Sequence, residues 1–175
     1  MSSSYLNHKA TQPNYRASQD NRSHEPIMKK TYWDAATVAE LHSRVDRLLP
    51  TSRASWGKMN PAQAMKHVTI AMQSALGETT VQPVSSIFAY TPFKQLVIYA
   101  IPWPNNAKTV PEADSPPHGD LVQEKADLLA VMERFAKAGI GFSFAPHPMF
   151  RGLSGKAWGV WAYRHLDHHL RQFGV

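Results

Sequence analysis

Apolar residues recur every three to four positions along four long stretches of this chain, and no stretch alternates cleanly between apolar and polar. The first runs from Asp34 to just before Pro50. Ala35, Val38, Leu41, Val45, Leu48 and Leu49 lie at helical spacing, Asp34 suits an N-cap, and Pro50 with the polar residues after it ends the helix. The second opens at Asn60-Pro61, where asparagine caps and proline suits the first turn, and closes at Gly77. Its stripe is Ala64, Val68, Ala71, Met72 and Ala75, with His67 at the edge, about 40° from Ala71. The third begins around Asp120, presents Leu121, Ala126, Leu128, Leu129, Met132 and Phe135, and stops at Gly139 and Gly141. The fourth follows Ser154, an N-cap with alanine rather than glutamate three residues on, so no capping box is expected.

Between the second and third patterns, Pro92 to Ile101 is apolar and fits a short helix through Phe93, Leu96, Val97 and Ala100, or a buried strand. A connection of about 18 residues rich in proline follows, a length that tends to go with function or mobility. His118 lies at its end and reads as a surface residue. The pattern predicts an all-α protein, a bundle of four long helices with one short extra helix and a long proline-rich connection. Residues 1–30 carry almost no aliphatic side chains and read as a disordered polar tail, leaving one domain over residues 31–175.

The last helical stretch, Trp158 to Phe173, holds three of the chain's nine histidines. With His165 at zero and about 100° per residue, Trp158, Ala162, Leu166, His169 and Phe173 fall within about 20–100°, while Arg164, Asp167 and Arg171 fall opposite. His165 and His169, one turn apart on the apolar face, can ligate one metal ion. His168 lies about 60° the other way, towards the arginines, and i,i+3 spacing also permits His165 with His168. His67 on the second helix is by itself more often a half-buried histidine than a ligand; its weight comes from pairing with the last helix.

Composition narrows the chemistry. There is no cysteine, so disulfides, thiolate ligands and a cysteine nucleophile from the chain are excluded. The net charge of +6 is split evenly between the tail, with five basic and two acidic groups in residues 1–30, and a nearly balanced body without a basic block. That distribution argues against nucleic-acid binding. No apolar run reaches the length of a membrane span and no signal-peptide core is present, so a soluble cytoplasmic protein is expected. H-E-x-x-H, P-loop, G-x-G-x-x-G and G-x-S-x-G patterns are all missing.

Three segments resemble the DinB-like superfamily, in an uncharacterised branch. They are Met59 to His67 (M-N-P-A-Q-A-M-K-H), His147 to Gly159 (H-P-M-F, then L-S-G-K-A-W-G), and His165 to Gly174 (H-L-D-H-H-L-R-Q-F-G). The resemblance covers roughly residues 31–174. It implies a four-helix bundle, often dimeric, in which one histidine on the second helix and an H-x-x-x-H pair on the last bind a divalent metal, usually zinc or nickel. The matching positions are His67, His165 and His169. Characterised relatives include thiol-dependent transferases and isomerases. Two departures stand out: the usual Phe-Gly order reads Phe150-Arg151-Gly152, and Lys156 and Ala157 replace acidic residues before Trp158.

Three neutral imidazoles leave coordination positions open, able to take a water or a substrate oxygen or thiolate. The expected function is therefore a divalent-metal-dependent enzyme acting on a small molecule, a thiol-dependent transferase or a hydrolase. The alternative is a non-catalytic helical bundle that keeps the histidines for stability or binds a partner. An open site beside a cleft favours the first; histidines bonded to one another in a dry core favour the second. No carboxylate presents itself as general base. His147 and His168 are possible proton carriers, though a loop histidine fixed by Pro148 and a solvent-facing one at the helix edge are the simpler readings.

Overall fold

The computed structural model describes residues 30–105 and 118–175. Five helices are present there: α1 (Ala35–Arg47), α2 (Pro61–Leu76), α3 (Phe93–Tyr99), α4 (Leu121–Ala138) and α5 (Gly155–Gln172), with a 3-10 turn at Ile87–Ala89. No strand occurs among the described residues, only an isolated bridge between His147 and Arg151. The all-α architecture expected from the periodicity holds. All but the last residue of the polar tail expected at residues 1–30, and most of the proline-rich connection, lie outside the described residues. Among the described helices none is long and apolar enough to cross a membrane.

Each long helix starts where a short polar side chain meets a free backbone N–H. Asp34 accepts from Thr37 N at 2.9 Å, Asp120 from Gln123 N at 2.9 Å, and Ser154 from Ala157 N at 3.2 Å. Asn60 and Gln63 form a reciprocal capping box at the head of α2, at 2.8 and 2.9 Å, stronger than the simple cap the sequence suggested.

α2 and α4 pack along each other, and α5 lies against α1, α2 and α3. Met65, Val68 and Met72 meet Leu128, Met132 and Phe135 in a core completed by Leu41, Val45, Trp158, Leu166 and Leu170. Three residues assigned to apolar stripes turn outward. Leu49 lies beyond the C-cap of α1, and Ala35 and Ala126 sit on solvent flanks, where a methyl group costs little.

Residues 31–33 lie across α5, and glycine allows it. Tyr32 N donates to Gly159 O at 2.9 Å and Trp33 Nε1 to Gly155 O at 2.8 Å. A β-carbon at Gly159 would fall 2.2 Å from Trp33 Nε1 and 2.6 Å from Thr31 Oγ1. Tyr32 then fills the core, its hydroxyl donating to Met132 O at 3.2 Å.

The stretch from Pro92 forms a helix, but not with the face its spacing suggested. Phe93, Leu96 and Ala100 are exposed, and Ile98 is the buried residue. The C-terminal end of α3 is held from outside, because the Arg164 guanidinium donates to Val97 O at 2.7 Å, to Ile98 O at 2.8 Å and to Ile101 O. It also lies 5.2 Å from the centre of the Trp103 ring. Arg164 thus links α5 to the wall that follows α3.

Candidate metal centre

His67 comes from the middle of α2, and His165 and His169 from successive turns of α5. All three are buried, at 4%, 8% and 8% exposure. Their ring centres lie 4.8, 4.8 and 5.1 Å apart, and one nitrogen from each lies within 4.8 Å of the others. The three residues matched by resemblance are therefore brought together. His168 is not part of the cluster.

The nitrogens have defined partners. His67 Nε2 and His165 Nε2 lie 2.8 Å apart, one donating to the other. His169 Nδ1 lies 3.0 Å from Gln172 Oε1, which can only accept, so Nδ1 carries the proton and Nε2 keeps its lone pair. Gln172 is fixed in turn, its Nε2 donating to Trp56 O at 2.7 Å. His165 Nδ1 is buried without a hydrogen-bond partner among the described residues. Burial holds the His165 and His169 rings neutral. His169 is pushed down to about 3, first by burial and then by His67; His165 is lowered well below its ordinary value by burial and the surrounding imidazoles.

This donor set fits a divalent ion of the zinc type. Neutral imidazoles are its common ligands, and bonds of about 2.0–2.1 Å in a tetrahedral arrangement place ligand nitrogens roughly 3.3 Å apart. The His67 and His165 nitrogens, 2.8 Å apart, and the three donors together, within 4.8 Å of one another, bracket that spacing. The Gln172 bond supplies the outer contact that orients a ligating imidazole.

The cluster opens into a cavity of about 780 Å³. Its walls are mostly apolar and aromatic: Met59 and Trp56 before α2, Ile70 and Ala71 on α2, Val97 and Trp103 around α3, Phe150 in the connection, and Trp158 and Trp161 on α5. No carboxylate lines it among the described residues. Asp167, judged from the sequence to face away, does so: it accepts from Arg44 Nη1 at 2.7 Å and lies 3.1 Å from Arg171 Nε.

Two histidines differ from their sequence reading. His168 does not face bulk solvent at the helix edge. It lines the cavity between Trp56 and Trp103, with ring centres 5.7 and 6.2 Å away. His147 is not merely a loop residue. It packs against Phe150, Trp158 and Trp161 on the cavity wall, and burial lowers it to about 3. His118 is exposed, as expected, with Nε2 at 3.4 Å from Asn60 Nδ2. Gln172 went unnoticed in the sequence, although its i,i+3 spacing from His169 marks it as a possible partner. Trp103 gave no local signal, since only the fold carries it to the cavity.

No curated protein and no solved structure matches the chain. A family profile spans the bundle together with its candidate centre: the chain belongs to the family described as protein of unknown function (DUF1569), whose profile matches residues 29–174.

Proposed function

We propose that this protein is a divalent-metal-dependent enzyme acting on a small molecule with an apolar body, in a thiol-dependent transfer or a hydrolysis. The observation that carries this reading is the position of three buried imidazoles on the wall of an apolar cavity of about 780 Å³. Bound there, zinc or nickel supplies a Lewis acid with open coordination positions. The chain's own residues do the rest. His67, His165 and His169 would hold the ion without neutralising its charge, which would suit a substrate carrying an anionic oxygen or sulfur. The aromatic walls bind the substrate body and exclude water, which strengthens that attraction. Kinship with the DinB-like superfamily belongs to the same proposal, supported by one histidine on α2 and an i,i+4 pair on the last helix.

The test is metal analysis of protein purified without a histidine tag, followed by titration with zinc and nickel. His67→Ala and His169→Ala are expected to abolish stoichiometric binding, and His168→Ala to leave most of it. Binding that survives loss of His169 but not of His168 would overturn the assignment. A second reading, a non-catalytic bundle that binds a partner, is favoured by the direct bond between His67 and His165; protein that takes up no metal in either titration selects it.

A homodimer in the cytoplasm completes the proposal. Exposed Ile87, Tyr90, Phe93 and Leu96 offer apolar surface for self-association. Light scattering at micromolar concentration is expected to give twice the chain mass of 19.6 kDa, and a value near the single-chain mass rejects the dimer.

A further inference from the structure

His147 is held in a way that dictates what it can do. Its Nδ1 accepts from two backbone amides, Met149 N at 3.0 Å and Phe150 N at 3.2 Å. A nitrogen that takes two N–H donors carries no proton, so in the neutral ring the proton sits on Nε2. The opposite tautomer would point three N–H groups at one another and leave both amides unpaired. Nε2 has no hydrogen-bond partner among the described residues, is not one of the fully enclosed atoms, and belongs to a residue that lines the cavity. The ring is braced on several sides, with Phe150 at 4.6 Å, Trp161 at 4.8 Å and Trp158 at 5.4 Å. Trp161 in turn lies 4.6 Å from His165, so His147 and the histidine cluster flank the same indole.

We infer that His147 is a fixed N–H donor to the substrate, and that the substrate carries an oxygen acceptor, a carbonyl or an oxyanion, on the part that lies beside Trp161. The inference rests on the reading of the cavity as a substrate site. It withdraws the role of proton carrier considered for His147, because a general base needs a free lone pair on the side that faces the substrate, and here the lone pair is turned into the backbone. It also narrows the substrate class. An apolar molecule without an oxygen acceptor would displace water from Nε2 and leave its proton unpaired, which disfavours it.

Two measurements test this. In the ¹⁵N-histidine-labelled chain, long-range ¹H–¹⁵N correlation at neutral pH reads the tautomer of His147 directly; protonated Nε2 with unprotonated Nδ1 is expected, and the reverse overturns the proposal. Then the metal-free and zinc-loaded chain are titrated with benzohydroxamate, which offers oxygen acceptors on an aromatic body, and with thiophenol, which offers none. His147→Asn keeps an acceptor oxygen near Nδ1 for the two amides and removes the donor. It is expected to weaken benzohydroxamate about tenfold, the loss of one net hydrogen bond, and to leave thiophenol within about twofold. An equal loss for both ligands, or no benzohydroxamate binding to either form, overturns the donor role. Failure to load zinc overturns the metal reading alone, since the tautomer and the metal-free titration still report on His147.

Discussion

Gln172 shows how much a single side chain outside the cluster can decide. It accepts from His169 Nδ1 and donates to Trp56 O, so it fixes the tautomer of a candidate ligand and anchors the segment before α2 at the same time. Outer partners of this kind typically govern 10–100-fold in metal affinity. Gln172→Ala is expected to lower zinc affinity by about that range while stoichiometry stays at that of the wild type, read by competition against a chromophoric chelator. An unchanged affinity would mean that His169 is oriented by packing alone. The buried rings also set a pH dependence. His147 and His169 titrate at about 3 in the folded chain against 6.5 when unhindered. The unfolded chain therefore holds more protons between those values, and stability rises with pH across that window. Stability of the metal-free protein is full above 6.5 and falls as pH drops towards 3, by roughly 1.4 kcal/mol per pH unit for each ring. Urea midpoints at pH 7, 6, 5 and 4 check the sign, and a midpoint that rises on acidification refutes it.

At the scale of elements, the boundaries and the histidine cluster were legible and the walls were not. Asp34, Asn60, Asp120 and Ser154 cap within their own first turns, so local sequence is enough to find them. His165 and His169 were readable because the face of a long helix follows from its period. α3 was misjudged because Arg164 and the fold hold it, and a helix of seven residues has too few turns for its period to name a buried face. His147 was misplaced because its connection leaves no periodic trace, and His168 because Trp56 and Trp103, which wall it in, come from segments outside α5. Gly159 belongs to this scale too, since it lets the segment before α1 cross α5. Gly159→Ala raises helix propensity, yet it drives a methyl into Trp33, and the clash is expected to win by about 1–3 kcal/mol. A melting temperature equal to or above that of the wild type would show that Trp33 can move aside.

For the molecule as a whole, the lasting feature is the span of chain between the histidines. His67 and His165 are 98 residues apart, and the second lies in the final helix. During synthesis α5 leaves the ribosome after α1, α2 and α4, so the nitrogens cannot converge until those helices are already out. An ion that binds all three therefore arrives after folding, or with the docking of α5, and cannot act as a nucleus for α1, α2 or α4. Seated there, it would close a loop of nearly a hundred residues, a cross-link between α2 and α5 that this sequence, without cysteine, has no disulfide to make. An ion held there would be lost whenever α5 loosened from α2, so its lifetime would be no longer than that of the closed bundle.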